Sequence, residues 1–387
     1  MGNVATTYGE LGRHEDALQL EDQVFELRRH ALGADHLDTI LAMGNLATTY
    51  RELGRHTDAL QLKDQVLQLR RQILGADHPD TVLAMANLSV TYSDLGRHTD
   101  ALRLKDQVLE LRRHTFGTAH PSTLLAMANL ARTYNELGRH TKALQLEVQV
   151  LELRRKILGE EHPKTILAMG NLARTYSELG NHADALQLEE QVLELRGKML
   201  GMEHPDTVLA MANLAATYST LGRHADALQL EDEVLKLRRK VLGEEHPKTI
   251  LAMGNLARTY SELGNHADAL QLEEQVLELR GKMLGMEHPD TVLAMVNLAV
   301  TYSTLERHTD ALQLKKQVLE LRKKIHGIDH LDTVGAMANL AVTYSNLGQP
   351  VDALQLREQV LKLRRKILAK KTYRCSPAKE NNPGKAN

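Results

Sequence analysis

The chain has 387 residues, of which 42% are hydrophobic and 25% are charged, and its formal net charge is -2. Cations and anions are interleaved, which argues against a nucleic-acid surface because such a surface needs clustered Lys and Arg. No apolar run approaches the roughly 20 residues that span a bilayer, and the lone Cys375 cannot form an internal disulfide. The composition therefore predicts a cytoplasmic protein that binds neither nucleic acid nor a membrane.

An asparagine recurs every 42 residues along the chain, and one tyrosine per unit keeps the same register from Tyr8 to Tyr344. Self-similarity at a fixed period of this length predicts a solenoid in which one supersecondary unit is stacked many times. This asparagine column consists of Asn3, Asn45, Asn87, Asn129, Asn171, Asn213, Asn255, Asn297 and Asn339.

In chain order, the first repeat has the fewest residues before its asparagine. Met1 lies only two residues before Asn3, whereas about two helical turns precede the asparagine in the other units. We therefore expect the first hairpin to be truncated.

The unit at residues 77–117 shows the first predicted helix of a repeat, helix A. Pro79 suits the first turn of this helix, because the amide that proline lacks would have no partner there. From Met85 onward, apolar residues recur at steps of three and four, which predicts a helix of about 16 residues that ends near Gly96.

The second predicted helix, helix B, begins near His98 and ends at Gly117 after about 18 residues. It has two adjacent apolar stripes, one starting at Ala101 and the other at Leu102. Two stripes fit a helix that packs against both its own helix A and the next one, so each unit is predicted to be a helical hairpin. No segment alternates with period two, so strands are not expected.

The ninth unit is predicted to end its helix B near Leu368. Residues 369–387 contain Lys, Pro and Gly without periodicity and are expected to form a disordered basic tail. The predicted domain organisation is therefore a repeat array over residues 1–368 followed by this tail.

Residues 160–211 and 244–295 are identical, at a spacing of 84 residues or two units. Two copies of one surface would give two equal binding patches rather than one catalytic cleft. Linked equal patches suit a repetitive partner through avidity.

The period alone would also allow HEAT-type units, so the motif is needed to decide the fold. The pattern Asn-Leu-Ala-x-x-Tyr-x-x-Leu-Gly-x-x-x-x-Ala-Leu at residues 129–144, with Ser89 replacing its Ala at residues 87–102, resembles the tetratricopeptide repeat. The 42-residue unit with a Leu-Gly-x-x-His-Pro linker, at residues 158–163 and 242–247, resembles the repeats of kinesin light chains and of nephrocystin-type signalling proteins. The resemblance implies an all-α, right-handed superhelical solenoid of about nine helical hairpins.

The asparagine column is the leading candidate for ligand binding. Asn87 lies off the apolar core stripe and shares a face of helix A with Leu83, Val90 and Asp94. A side-chain amide offers two donors and two acceptor sites, enough to hold a peptide backbone. In tetratricopeptide folds this face lines the inner groove, and in kinesin light chains the matching asparagine contacts extended cargo peptides. Alternatively, each asparagine bonds a neighbouring helix and spaces the stack.

Arg132, Arg174 and Arg258 follow an asparagine by three residues and are expected beside it. A guanidinium beside an amide suits an acidic or C-terminal carboxylate ligand. Alternatively, the glutamate four residues after each arginine, such as Glu136, neutralises it on the helix surface. The predicted peptide-binding residues are Asn45, Asn87, Asn129, Asn171, Asn213, Asn255, Asn297, Asn339, Arg132, Arg174 and Arg258. The residues expected to set specificity, each three after an asparagine, are Val90, Arg132, Arg174, Ala216, Arg258, Val300 and Val342.

Histidine recurs twice per unit, at the positions of His78 and His98, but without paired cysteines or His-Glu-x-x-His spacing. We interpret these histidines as packing residues and expect no metal site. The sequence also lacks a nucleophile elbow, a phosphate loop and kinase signatures, so neither enzyme activity nor a cofactor is predicted.

The sequence thus predicts a non-catalytic scaffold that binds an extended peptide or protein segment in a concave groove lined by helices A. Three settings remain open: an adaptor like a kinesin light chain, the sensor array of a larger nucleotide-dependent signalling protein, and a rod that self-associates through uncapped ends. Light scattering against concentration separates the rod from the other two.

Overall fold

The computed structural model describes residues 2–374, including their side chains except at positions 2, 3, 6, 10 and 369–374. These residues form eighteen α-helices and no strand, which confirms the predicted all-α stack of helical hairpins. Helices A are α1 (Gly2–Glu10), α3 (Leu37–Glu52), α5 (Pro79–Asp94), α7 (Pro121–Glu136), α9 (Pro163–Glu178), α11 (Pro205–Thr220), α13 (Pro247–Glu262), α15 (Pro289–Thr304) and α17 (Leu331–Asn346). Helices B are α2 (His14–Leu32), α4 (His56–Leu74), α6 (His98–Phe116), α8 (His140–Leu158), α10 (His182–Leu200), α12 (His224–Leu242), α14 (His266–Leu284), α16 (His308–His326) and α18 (Pro350–Arg374).

From α3 onward, each helix A begins after a histidine that caps it. Asp80 donates its backbone N–H to His78 Nδ1 at 3.2 Å, and Pro79 occupies the first helical position, as predicted. An acceptor at this place satisfies one of the amides that a helix N-terminus leaves unpaired. The same contact is made by His36, His120, His162, His204, His246, His288 and His330.

Glycines end the helices at the predicted places. Gly96 follows α5 with φ 70°, and Gly117 follows α6 with φ 81°, a region that glycine enters at low cost because it has no side chain. Across the end of α5, the backbone N–H of Arg97 donates to the carbonyl of Tyr92 at 2.8 Å. Among the described residues, Glu306 alone has a positive φ, 59°, without being glycine.

Consecutive hairpins are held together by core packing and by a repeated polar contact. Met127 and Met169 of helices A are 0% exposed. Arg112, near the end of α6, donates to the carbonyl of Ser122 at 2.9 Å, and Thr123 donates back to the carbonyl of Arg112 at 3.2 Å. The end of α6 is thereby fixed to the start of α7. The arginine contact recurs at the ends of α2, α4, α8, α12, α14 and α16.

At a larger scale than the single repeat, the chain divides into two compact units, each of several hairpins. The first unit is Met1–Arg196 and the second unit is Gly197–Asn387, and the division falls within α10. In the first unit, α1 has 9 residues whereas α3 has 16. In the second unit, α18 continues to Arg374, beyond the boundary predicted at Leu368. The remainder of the predicted tail, residues 375–387, lies outside the described residues. None of the described helices combines the length and the apolar character needed to cross a membrane.

Candidate functional site on the helices A

The asparagines that are predicted to bind a peptide lie on the solvent side of helices A in both compact units. Asn129, Asn171 and Asn255 are half-buried, and the described contacts include no hydrogen bond from a side-chain amide of the column. At Asn129 the side-chain hydroxyl of Thr133 donates to the backbone carbonyl at 3.3 Å and not to the amide. The amides are therefore not used to bond neighbouring helices within the part of the chain that is described, and the side chain of Asn3 lies outside that part. The exposed members are Asn45, Asn87, Asn213, Asn297 and Asn339.

A column of exposed leucines lies beside the asparagines, four residues earlier on the same helices. Leu167 is 51% exposed, although the adjoining Ala168 and Met169 are buried. Residues four apart are neighbours on a helix surface, so each leucine adjoins an asparagine. Helical spacing placed Leu83 on this face, but only the exposed fraction shows that its side chain is open to solvent beside the asparagines. This leucine column consists of Leu41, Leu83, Leu125, Leu167, Leu209, Leu251 and Leu293.

The three predicted arginines have different surroundings. Arg132 Nε lies 3.9 Å from Glu136 Oε1, which is the weak surface pair expected between residues four apart. Arg174 and Arg258 are exposed and form no ion pair with a described residue. The alternative in which the glutamate four residues later neutralises the arginine therefore applies to Arg132. The charge of Arg174 instead acts on the buried carboxyl group of Glu147, where it opposes the larger effect of burial on the pKa. The charge of Arg258 acts on the pKa of Glu231 in the same way.

Helices B contribute a column of charged side chains that the sequence pattern did not single out. Lys63 and Lys105 are 6% and 4% exposed, and their Nζ atoms donate to Thr91 at 2.8 Å and Thr133 at 2.6 Å in the next helix A. Glu147, 5% exposed, occupies the corresponding place in α8. This charged column consists of Glu21, Lys63, Lys105, Glu147, Glu189, Glu231, Glu273, Lys315 and Arg357.

Burial changes the titration of the charged column. Desolvation lowers the pKa of Lys63 and of Lys105 to about 8. It raises the pKa of Glu147 to about 7, because a site of low dielectric constant disfavours the charged form. One carboxylate oxygen, Oε2, of both Glu147 and Glu231 has no hydrogen-bond partner among the described residues. These groups are therefore held at the hairpin interfaces at a cost in free energy.

Among the histidines that open helices B, His98 and His140 lie close to a neighbouring polar side chain. His98 Nδ1 lies 3.2 Å from Glu136 Oε2, and His140 Nδ1 lies 3.0 Å from Asn135 Oδ1. Within residues 2–374, no group of three or more His, Cys, Asp or Glu side chains is arranged to hold a metal ion. The packing role of the histidines that open helices B stays a prediction.

Family models support the fold assignment along the chain. A model described as tetratricopeptide repeat matches residues 1–72, 45–114, 91–156, 123–198, 206–282 and 285–366. A second model with the same description matches residues 171–240. A comparison with curated proteins gave no match.

Solved structures similar to this chain include three repeat proteins. A putative kinesin light chain with nearly identical TPR-like repeats from Podosopora anserina is 32% identical, over 53% of this chain and 97% of that chain, with a TM-score of 0.49. The apo form of RapI is 13% identical, over 95% of this chain and 97% of that chain, with a TM-score of 0.65. A signal transduction ATPase with a tetratricopeptide repeat sensor from Pyrococcus horikoshii is 13% identical, over 93% of this chain and 53% of that chain, with a TM-score of 0.62. At 13% identity, the last two establish likeness of fold alone.

Proposed function

We propose that this chain, which belongs to the tetratricopeptide repeat family, binds an extended peptide or protein segment along helices A of each of its two compact units without catalysing a reaction. The bound segment lies along the asparagine column and the leucine column. The observation that carries the proposal is the exposed asparagine amides, which no described side chain or backbone group engages.

The chemistry of the two columns suits an extended peptide. Each amide can donate to a backbone carbonyl and accept from a backbone N–H, so it holds a peptide without selecting its side chains. The side chains of the leucine column, which range from 46% exposed at Leu41 to 51% exposed at Leu125, supply apolar contact beside the amides. Burying this leucine surface on binding would contribute about 25 cal/mol for each Å² removed from water.

Specificity then comes from the residue three after each asparagine. In the first unit this place holds Val90, Arg132 and Arg174, and in the second it changes from Arg258 to Val300. Charged and apolar positions therefore follow one another along a uniform backbone-binding surface. A segment with acidic groups opposite Arg174 or Arg258 and apolar groups opposite the valines is the ligand we expect.

A sensor role is the second candidate, supported by the likeness of fold to the repeat sensor of the Pyrococcus horikoshii protein. A sensor must change its arrangement when a ligand binds, whereas a scaffold need not. Small-angle X-ray scattering of the protein with and without a selected peptide distinguishes the two. An unchanged profile favours the scaffold.

The experiment that tests groove binding is selection of a random dodecapeptide library on the purified protein. The test variant replaces the four asparagines of the second unit, and the matched control replaces four exposed amides on its helices B. We expect the test variant to lose at least about tenfold in affinity for second-unit peptides, because each lost hydrogen bond contributes about 1 kcal/mol. The test substitutions are Asn213→Ala, Asn255→Ala, Asn297→Ala and Asn339→Ala. The control substitutions are Gln229→Ala, Gln271→Ala, Gln313→Ala and Gln355→Ala.

Circular dichroism should show equal helicity in the test variant, the control and the wild type. Peptides that bind the asparagine variant as tightly as the wild type would refute the proposal. A loss shared by the glutamine control would refute it as well, because it would mean that the amides act without regard to their face.

A further inference from the structure

A cleft of about 310 Å³ lies in the second unit between α15, α16 and α17. Val296, Val300 and Val342 form much of its wall, and Lys315 and Asn339 also line it. The cleft brings together a member of the asparagine column, two residues predicted to set specificity and a member of the charged column.

The apolar character of the cleft comes from departures within the repeat. Val300 and Val342 are 54% and 51% exposed at the place where α13 has Arg258. One residue before the asparagine, Val296 of α15 replaces Gly254 of α13. Each replacement adds apolar surface, and the first also removes a charge. The cleft therefore offers an aliphatic group of a ligand a place away from water.

Two cations, Lys315 and Arg322, line the cleft, and Arg322 donates to the backbone carbonyl of Asp332 at 2.9 Å. Lys315 is the candidate partner for a ligand. Its Nζ donates to Ser303 Oγ and to Thr343 Oγ1, both at 2.8 Å, which leaves one of the three ammonium N–H groups for a ligand.

The residues of α12 and α14 that correspond to Lys315 are Glu231 and Glu273, so the charge at this place is reversed within the unit. Lys315 is half-buried and forms no ion pair with a described carboxylate. Burial lowers its pKa, and an anion beside it would offset the lost hydration.

We propose that this cleft receives an aliphatic side chain together with a neighbouring carboxylate of the bound segment. The valines enclose the aliphatic group, Lys315 binds the carboxylate, and Asn339 holds the backbone between them. This inference rests on the proposed function, because it names the ligand chemistry of one part of the same surface. The carboxylate belongs either to an Asp or Glu side chain or to a chain terminus, since both present the same two oxygens.

Methyl NMR on the full chain with labelled valine methyl groups tests the inference. The probes are N-acetyl-leucyl-aspartate amide, which has a side-chain carboxylate, and N-acetyl-leucine, which has a terminal carboxylate. The matched controls are N-acetyl-leucyl-asparagine amide, which is neutral, and N-acetyl-alanyl-aspartate amide, which has a shorter apolar group. We expect shifts at Val296, Val300 and Val342, and affinities about tenfold weaker for each control. The tighter of the two anionic probes identifies the source of the carboxylate.

Two variants separate the charge from the walls. Lys315→Met keeps the apolar length of the side chain, so the shifts should persist while the preference for aspartate over asparagine falls below twofold. Val342→Arg introduces the residue that α13 carries at this place, so it should fold and should abolish binding of the leucyl probes. Gln313→Ala, an exposed change on α16, should alter neither property.

Equal affinity of the wild type for the aspartate and asparagine probes would overturn the role of Lys315. Shifts at valines away from the cleft, or no shifts at all, would overturn the location. A peptide library captured through the asparagines but without enrichment of aliphatic–acidic pairs would refute this inference and leave the proposed function standing. Capture that survives loss of the asparagines would instead refute the proposed function.

Discussion

Replacing Glu147 by glutamine should stabilise the first unit at alkaline pH and change it little at acid pH. Glu147 is 5% exposed, and Asn135 Nδ2 donates to its Oε1 at 3.3 Å. The other carboxylate oxygen has no partner among the residues that the structure describes. Glutamine has nearly the same shape without the charge, so Glu147→Gln removes the cost of burying a carboxylate.

The magnitude follows from the pKa of Glu147. Burial raises this pKa to about 7 from an ordinary value of 4.5. Each pKa unit between the folded and unfolded states is about 1.4 kcal/mol, so the buried charge costs at most about 3 kcal/mol. Because the folded pKa is the higher one, the stability contributed by the protonated group is complete below pH 4.5 and is lost as the pH rises through 7. The advantage of Glu147→Gln should therefore grow by about 2 kcal/mol between pH 5 and pH 8.

Urea unfolding at pH 5, 6, 7 and 8 measures this difference in the free energy of unfolding. Because a repeat array need not unfold in one step, amide hydrogen exchange in α8 and α9 supplies the local value. Glu152→Gln, which removes an exposed carboxylate from α8, is the matched control. A difference between Glu147→Gln and the wild type that does not vary with pH, or one equally large in the control, would refute the reasoning.

Urea unfolding also tests the caps, the core and the backbone geometry. His246→Ala removes the acceptor of the Lys248 N–H at 3.1 Å and should cost about 1 kcal/mol, whereas His246→Asn should restore most of it. Met253→Ala empties a site that is 0% exposed and should cost about 2–5 kcal/mol, whereas Leu251→Ala, at 51% exposed, should cost less than about 0.5 kcal/mol and weaken peptide capture instead. Glu306→Gly should stabilise by about 1 kcal/mol, because a φ of 59° strains a residue that has a side chain. The cap explanation would be contradicted if His246→Ala and His246→Asn lost the same free energy of unfolding. The core explanation would be contradicted if Met253→Ala and Leu251→Ala did so, and the strain explanation if Glu306→Gly were less stable than the wild type.

Local signals in the sequence were sufficient to place the helices. Pro79 and Gly96 act within one turn of the chain, and α5 begins and ends where they predict. His98 and Gly117 likewise bound α6. The capping role of His78 was not predicted, because the sequence does not show which way an imidazole turns, although its place before a proline at the first helical position was the available signal.

The charged column of helices B could not be predicted from helical periodicity. Lys63 is buried against Thr91, 28 residues away, so its burial is a property of two hairpins together. The sequence of its own helix does not distinguish Lys63 from a lysine that is exposed on the surface. The cleft around Lys315 escaped prediction for the same reason, since three helices form it. Periodicity describes one helix, whereas these sites depend on the packing of several.

The threonine that meets the charged column gives the hairpin junctions an unusual freedom. Thr49 donates its hydroxyl to Glu21 at 2.5 Å, whereas Thr91 accepts from Lys63 at 2.8 Å. A hydroxyl rotates to serve either role, so an acidic or a basic side chain fits without a change in the receiving helix. Hairpins of this chain could thus be copied or reordered during evolution. A hairpin with an acidic side chain at this place and a hairpin with a basic one both fit against the same threonine.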